Sequence, residues 1–296
     1  MEPVTLITGC SSGIGLETAL LLASRGHRVY ATMRDLSRGA ALRERAAAAG
    51  VELEPLTLDV TAPATIAAAV AVVEEREGRL TNLVNNAGFS YFGILEHFSE
   101  DEIRDQFDTN VFGPLRVTRA FLPLLRRDAS TRRTLVNVTS LNARVVYPLM
   151  GLYAATKFAL LGLTEEWRHE LRPFGIRAVS VEPGPIETKF GGGSLKRPAG
   201  YDPAGSPYRP IVEAAEESFA RLTTRDAGPP SKVARKILRA IEARNPRLHW
   251  PCGPLTKVST LSLRFAPYGF VEWALRRNAG LNKIGRITHE EGVGEG

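Results

Sequence analysis

Apolar, β-branched runs alternate with helix-like segments over the first 180 or so residues of the chain. Six runs are typical of strands covered on both faces, because most of their positions are apolar: VTLIT (4–8), HRVYATM (27–33), ELEPLTL (52–58), LTNLVNN (80–86), RTLVNVTS (133–140) and IRAVSVE (176–182). Helical patterns lie between them, over 14–25, 36–49, 62–77, 100–127 and 151–172. This alternation predicts an α/β fold with a doubly wound parallel sheet, right-handed crossovers and helices on both faces.

The regular alternation ends at Pro183. From there to about Pro230 the chain is rich in glycine and proline, which favours a mobile loop over a core element. We expect a single domain over residues 1–285, with a substrate loop at about 189–230 and a C-terminal extension with helical character at about 250–285. The last residues, 286–296, have the composition of a disordered tail.

Composition excludes several classes of protein. The start, MEPVTLITG, lacks the basic and apolar regions of a secretory signal, and no run approaches the ~18 apolar residues of a membrane span. Two distant cysteines, Cys10 and Cys252, form neither a disulfide framework nor a metal-binding cluster. The net charge is +6, but no basic stretch is long or interleaved with aromatic residues. We expect a cytoplasmic protein without a metal or a nucleic-acid partner.

Three glycines, Gly9, Gly13 and Gly15, lie between the first strand and the first predicted helix, in TLITGCSSGIGLET. An ordinary turn from a strand into a helix needs only one. Three glycines with two serines favour a dinucleotide-binding turn: one glycine allows the bend, one admits a pyrophosphate and one lets the helix pack closely. The free N–H groups of the helix N-terminus would bind the phosphates.

Several motifs resemble the short-chain dehydrogenase/reductase family in both sequence and order. They are TGCSSGIG at the glycine turn, LDV at 58–60, NNAG at 85–88, Asn110, Ser140, YAATK at 153–157 and PGPIET at 183–188. Within the family, ITGCSSGIG, VYATMRD and KFAL look most like the 17β-hydroxysteroid dehydrogenase and retinol dehydrogenase branch. The resemblance spans residues 3–190 and implies a Rossmann-type fold and an enzyme that acts on CH–OH groups with NAD(P).

Tyr153 and Lys157 are four residues apart in a helical stretch, so their side chains share one face. Lowering the pKa of a tyrosine from about 10 to about 7 requires ~4 kcal/mol in favour of the phenolate. A lysine ammonium about 5 Å away supplies ~3 kcal/mol at an effective dielectric of about 20. The spacing therefore predicts a phenol with a lowered pKa, although a tyrosine and a lysine on a helix surface often have no such role.

The resemblance implies a role for each motif residue. Tyr153 is similar to the general acid of ketone reduction, Lys157 to its pKa-lowering partner, Ser140 to the serine that binds the substrate carbonyl, and Asn110 to the residue that holds a proton-relay water. The implied cofactor cradle also contains Asp59 at the adenine, Asn86 as a tie between strands and Thr188 at the carboxamide. The remaining cradle residues are Gly9, Ser11, Ser12, Gly13, Ile14, Gly15, Val60, Ala87, Gly88, Pro183 and Gly184.

The second strand ends in residues that favour NADP over NAD. A carboxylate at the strand end would repel a 2′-phosphate, but the family's alignment places the neutral Met33 there. Arg34 follows, and Ser11 lies in the glycine turn, so a guanidinium and a hydroxyl are available for a phosphate. Asp35 could pair with Arg34 and weaken this preference.

The substrate side of the expected site is apolar. Aromatic and aliphatic residues are frequent in 89–98 and 145–153, which favours a steroid, a retinoid or a fatty chain, although core packing accounts for such residues equally well. A non-catalytic dinucleotide sensor and a sugar-nucleotide epimerase or dehydratase are the alternatives. The family implies a homodimer or homotetramer formed through the helices at 100–127 and 151–172. The amphipathic segment 254–278 fits a lid or an oligomer contact, and a membrane-surface helix is less favoured.

Overall fold

The computed structural model describes residues 2–127, 132–186, 195–202, 205–225, 227–253, 256 and 266–285. The strands, in chain order, are β1 (Val4–Thr8), β2 (Arg28–Met33), β3 (Glu54–Thr57), β4 (Asn82–Asn85), β5 (Ser90–Tyr91), β6 (Arg133–Val138), β7 (Ile176–Pro183), β8 (Leu195–Lys196) and β9 (His249–Cys252). The α-helices are α1 (Gly13–Ala23), α2 (Ala40–Ala49), α3 (Pro63–Glu77), α4 (Glu100–Phe107), α5 (Gly113–Arg127), α6 (Gly151–Glu170), α7 (Arg209–Arg225), α8 (Pro230–Glu242) and α9 (Tyr268–Asn278).

Seven of the described strands form one parallel sheet in the order β3-β2-β1-β4-β6-β7-β9. All six strands predicted from the sequence belong to it. The strand order reverses between β1 and β4, and ligands of open α/β sheets bind outside the carboxyl ends of the strands at such a point. The loops that follow β1 and β4 therefore lie where a dinucleotide would bind.

Helices cover both faces of the sheet, and each face has its own apolar core. On one face, residues of α1 and α8 such as Leu22 and Ile237 pack on Ile7, Val136 and Val179. On the other face, α3, α5 and α6 pack on the alternate strand residues, with the side chains of Val73, Phe121, Leu124 and Trp167 among those buried. The two cores confirm the predicted doubly wound α/β fold.

The helix predicted over 100–127 is present, but its hydrogen-bonding pattern changes in the middle. It consists of α4 and α5, joined by a π-helical turn at Asp108–Phe112 that contains Asn110. π-helical turns are rare in proteins as a whole, and those that occur are often at functional sites. Asparagine is a weak former of regular helix interiors, so the interruption falls at a residue that resists the regular helix.

The late part of the chain contains more regular structure than its glycine and proline content indicates. Helix α7 occupies much of the segment predicted as a loop, because Val212, Ala215 and Phe219 recur at helical spacing and the first two are fully buried. The seventh sheet strand, β9, was not predicted, since Pro251 interrupts a short run. Proline is tolerated there because β9 is an edge strand.

Candidate active site

A cavity of about 440 Å³ opens at the carboxyl ends of β1, β4, β6 and β7. Most of the residues predicted from the sequence line it: Gly9, Ser11, Ser12, Gly13, Ile14, Arg34, Asp59, Val60, Asn86, Ala87, Gly88, Ser140, Tyr153, Lys157, Pro183 and Gly184. Gly15 and Asn110 are not among the lining residues, but each lies next to one: Gly15 beside Gly9 and Asn110 beside Phe89. Thr188 lies outside the described residues. Residues far apart in the chain are therefore brought together as the sequence analysis expected.

The glycine turn has the geometry that a dinucleotide needs. Gly9 has a φ of +75°, and a Cβ there would lie 2.9 Å from the Ala87 Cα. A Cβ at Gly15 would lie 2.2 Å from the Gly9 carbonyl oxygen, so only glycine lets α1 begin this close to the turn. A Cβ at Gly13 would meet nothing within 4 Å, which leaves the backbone at the start of α1 open to the cavity.

Polar side chains hold the loops after β1 and β4 together. The Asn86 Nδ2 group donates to the carbonyl oxygens of Thr8 (2.9 Å) and Gly9 (3.1 Å), and the Thr8 hydroxyl accepts from the backbone N–H groups of Asn86 and Ala87, each at 3.0 Å. Asn86 thus ties neighbouring strands, as predicted.

Asp59 serves the fold as well as lining the cavity. One of its carboxylate oxygens accepts from the Thr61 N–H (2.9 Å) and from the Thr61 hydroxyl (2.8 Å), just before α3. Asp59 therefore stabilises the turn that precedes α3, and its role at the adenine stays a prediction.

Helix α6 presents Tyr153 and Lys157 to the cavity. The Lys157 Nζ lies 5.5 Å from the centre of the Tyr153 ring and donates to the Val138 carbonyl oxygen at 3.1 Å. Ser140, which follows β6, is hydrogen-bonded to Tyr153. A phenol, a hydroxyl and an ammonium therefore meet at one point of the cavity.

The expected lowering of the Tyr153 pKa is wrong. Burial raises the pKa of Tyr153 to about 12, and the hydrogen bond with Ser140 only partly opposes this rise. Burial also lowers the pKa of Lys157 from 10.5 to about 8, because the buried ammonium has lost its contact with water. The spacing of Tyr153 and Lys157 indicates the attraction between the two groups but not their desolvation.

Asn110 lies behind the cavity wall. Its carboxamide accepts from the Phe89 N–H (3.1 Å) and donates to the Phe89 carbonyl (2.8 Å) and to the Thr156 hydroxyl (3.1 Å). A Cβ added to Gly88 would lie 3.0 Å from its Oδ1 atom. The side chain thus holds the strand-to-loop segment after β4 in place, and its part in a proton relay stays a prediction.

At the end of β2, the cavity is lined by Met33, Arg34, Asp35 and Arg38. The Asp35 carboxylate caps a short 3₁₀ helix by accepting from the Ser37 N–H at 2.8 Å, and hydrogen bonding to Ser37 lowers its pKa. Asp35 is thus held by its own turn. Arg38 was missed in the sequence, although its position three residues after Asp35 in RDLSRG places it one 3₁₀ turn further along.

The other half of the cavity is mostly apolar. Phe89, Tyr147, Met150, Leu195, Phe219 and Leu222 line it. Phe219 and Leu222 come from α7, which the sequence analysis had included in a loop. A polar pair also lines this half: the Lys196 Nζ lies 3.0 Å from an Asp105 carboxylate oxygen and 4.2 Å from the centre of the Phe89 ring.

The described residues also bear on a metal site and on a membrane span. Over those parts of the chain, no group of three or more His, Cys, Asp or Glu side chains is placed to hold a metal ion. Within the same residues, no helix combines the length and the apolar character needed to cross a lipid bilayer.

Comparisons with known proteins agree with this geometry. A 3-ketodihydrosphingosine reductase from Bacteroides thetaiotaomicron is 32% identical over 281 residues, which cover 93% of this chain and 98% of that protein. The 17-beta-hydroxysteroid dehydrogenase type 1 of Homo sapiens is 38% identical over 264 residues, which cover 83% of this chain and 76% of that protein.

Solved structures show the same architecture. A short-chain dehydrogenase from Streptomyces avermitilis matches with a TM-score of 0.78 at 32% identity, covering 96% of this chain and 98% of that one. A short-chain dehydrogenase from Burkholderia cenocepacia in complex with NADP matches with a TM-score of 0.68 at 25% identity, covering 94% and 97%. The sequence model for short chain dehydrogenase matches residues 3–197. The chain therefore belongs to the short-chain dehydrogenase family.

Proposed function

We propose that the protein is an NADP(H)-dependent oxidoreductase that interconverts a carbonyl and an alcohol on an apolar substrate. One observation carries the proposal: a single cavity joins a glycine-rich dinucleotide turn, the Ser140–Tyr153–Lys157 cluster and a mostly apolar wall. The first part fits a cofactor, the second can move a proton, and the third fits a water-excluding substrate.

The residues at the end of β2 favour NADP over NAD. Arg34 and Arg38 offer two guanidinium groups, and Ser11 offers a hydroxyl, at the part of the cavity where the adenosine ribose would lie. The Asp35 carboxylate accepts a hydrogen bond from the Ser37 N–H, which favours a place in its own turn over a pairing with Arg34. The structural neighbour from Burkholderia cenocepacia in complex with NADP supports the same choice.

The chain's own groups account for the proton. NADPH, when bound, supplies the hydride. A Tyr153 pKa raised to about 12 keeps the phenol protonated at neutral pH, which is the state required of an acid that gives a proton to a reduced carbonyl. The Ser140 hydroxyl can donate to the same carbonyl oxygen. In the direction of alcohol oxidation, the phenol must lose its proton, and the positive charges of Lys157 and of the oxidised nicotinamide favour that loss.

The substrate class is argued from the cavity wall. Aromatic and aliphatic side chains dominate the half that faces Tyr153, which suits a steroid, a retinoid or a fatty chain better than a sugar. The two relatives named above act, by their names, on a sphingoid ketone and on hydroxysteroids. Sphingoid ketones and hydroxysteroids are both lipids that carry a carbonyl group or the corresponding alcohol.

The decisive experiment is a substrate panel. Purified protein would be incubated with NADPH and long-chain ketones, steroid ketones and retinal, and with NADP and the corresponding alcohols, while absorbance at the nicotinamide band is followed. Tyr153→Phe should lower turnover by ~10²–10⁴-fold, the usual contribution of a general acid, with NADPH still bound. Tyr147→Phe is the matched control, since Tyr147 lines the same cavity without a lysine four residues later. Cofactor binding without turnover of any substrate would instead favour the sensor.

The oligomeric state and the cellular location of the protein are inferred from the family to which it belongs. We expect a homodimer or homotetramer, and the partly exposed Phe112 beside α5 and Phe158 on α6 support burial of these helices in an assembly. A cytoplasmic location and a single domain over 1–285 remain part of the proposal. Light scattering on the purified protein measures the assembly directly.

A further inference from the structure

A buried ionic cluster lies beside the candidate active site, on the sheet face covered by α6. The Glu182 side chain, at the end of β7, is fully buried. The Arg144 guanidinium donates to both of its oxygens, from Nε to Oε2 at 3.2 Å and from Nη2 to Oε1 at 3.0 Å. From β9, the His249 Nδ1 atom lies 2.9 Å from the Glu182 Oε1 and 2.6 Å from the Arg144 Nη2.

Further polar groups complete the cluster. The Ser180 hydroxyl donates to the Glu182 Oε1 at 3.3 Å and lies 2.7 Å from the hydroxyl of Thr139, the residue before Ser140. The Glu165 carboxylate, on α6, lies 3.9 Å from the His249 Nε2. Hydrogen bonds from His249 and Arg144 hold the pKa of Glu182 below its ordinary value in spite of burial. Glu182 is therefore a buried anion with a guanidinium N–H donor on each carboxylate oxygen.

The ion pair joins two segments that line the cavity. Arg144 directly follows the 3₁₀ turn Leu141–Ala143, whose N-cap is Ser140. Glu182 directly precedes Pro183 and Gly184, which form the wall on the β7 side. The bidentate contact thus fixes the serine turn against the end of β7.

We propose that Arg144 and Glu182 are positioning residues that hold Ser140 and the Pro183–Gly184 wall in their working geometry. Buried ion pairs contribute little net stability compared with apolar residues of the same volume, because desolvation offsets the attraction. A bidentate guanidinium–carboxylate contact does fix both distance and direction. Since Ser140 is hydrogen-bonded to Tyr153, a displacement of the serine turn reaches the proton donor. The inference rests on the proposed function.

Arg168, on α6, provides a matched control that contacts the same strand, β7. Its guanidinium donates to the Ala178 carbonyl (2.8 Å) and to the Pro246 carbonyl (2.6 Å), so it too ties β7 to the segment near β9. Ala178 lies five residues before Pro183 in β7, about 16 Å along a strand at ~3.3 Å per residue. Arg168 is thus a structural arginine that binds β7 at a point remote from the cavity.

The test compares Arg144→Met, Arg144→Lys and Arg168→Met with the unchanged protein. With a ketone from the panel, Arg144→Met should lower kcat by about 10–100-fold, since a displacement near 1 Å costs up to about 10²-fold. The dissociation constant for NADPH should rise by a smaller factor than kcat falls, because Pro183 and Gly184 are only one part of the cofactor cradle. Arg144→Lys keeps the positive charge but cannot make the bidentate contact. It should lower kcat by about 3–10-fold. Arg168→Met should keep kcat within about twofold of the unchanged protein, even if its melting temperature falls as far as that of Arg144→Met.

Hydrogen exchange gives a second readout that needs no turnover. Amides of residues 139–145 should exchange faster in Arg144→Met than in the unchanged protein, and Arg168→Met should leave them unaltered. Equal kcat losses for Arg144→Met and Arg168→Met, or unaltered exchange at 139–145 in Arg144→Met, would overturn the inference. If Arg144→Met does not fold, the inference is tested with Arg144→Lys. A kcat of Arg144→Lys within about twofold of the unchanged protein would then reject the inference. If no substrate is turned over, the proposed function fails and the exchange measurement alone decides the positioning role.

Discussion

The buried ammonium of Lys157 should cost the folded protein stability at neutral pH. Its side chain is almost fully buried, and burial lowers its pKa from 10.5 to about 8. The difference of about 2.5 pH units corresponds to about 3.4 kcal/mol at 1.36 kcal/mol per unit. Lys157→Met removes this cost together with the activity, so a residue proposed for catalysis would be retained at the expense of stability.

The direction of the pH effect follows from proton binding. Below about pH 8, Lys157 is charged in both the folded and the unfolded states, and the full cost applies. Between about 8 and 10.5, the unfolded chain keeps the proton that the folded protein has lost, so the stability of the unchanged protein rises with pH. From pH 6.5 to pH 9.5, this rise amounts to about 2 kcal/mol relative to Lys157→Met.

The assay is urea unfolding of both proteins at several pH values between 6.5 and 9.5. The offset between the two stability curves also contains the lost hydrogen bond to Val138 and the packing of the methionine. Those contributions do not depend on pH, so the difference in slope isolates the titration of Lys157. Lys232→Met, at an exposed lysine of α8, is the control and should show no such slope. Parallel curves for Lys157→Met and the unchanged protein would refute the reasoning.

Three further predictions concern the cofactor, the ionic cluster and α7. Arg34→Ala should weaken NADPH binding by about tenfold or more and NADH binding much less, because a hydrogen bond to a charged group contributes ~1.5–3 kcal/mol. Arg43→Ala, whose guanidinium donates to the Leu36 carbonyl, is the control in the same titrations, and equal losses for both cofactors would contradict the assignment. Glu182→Gln should lower stability at pH 7, and its deficit should shrink in acid unfolding as pH falls below 4.5, since the lowered pKa stabilises the folded state only while the carboxyl is ionised. Hydrogen exchange over 205–225 should slow more with NADP and a ketone together than with NADP alone, because α7 side chains line the substrate half of the cavity; equal protection in all states would make α7 a fixed wall.

The sequence by itself determined the sheet and most of the candidate site. Strands covered on both faces are apolar along their whole length, so six of the seven sheet strands were visible in short windows. The glycine turn was visible for a similar reason. Gly9 is required by its positive φ, and Gly15 is required because a Cβ there would lie 2.2 Å from the Gly9 carbonyl oxygen. Such local requirements fix the residue type at the position itself.

Tertiary structure decided what depends on surroundings distant in the chain. The edge position of β9 lets Pro251 lie in a strand, and the apolar cluster around Phe92 makes α7 a helix in a segment that composition assigned to a loop. The pKa values and the pairing of the charged groups also depend on the tertiary structure. The helical spacing of Tyr153 and Lys157 gave their attraction but not their burial, and desolvation reversed the expected pKa shift. The pairing of Arg144 with Glu182 joins residues 38 positions apart. Desolvation and long-range pairing depend on the whole packed chain, so no local pattern predicts them.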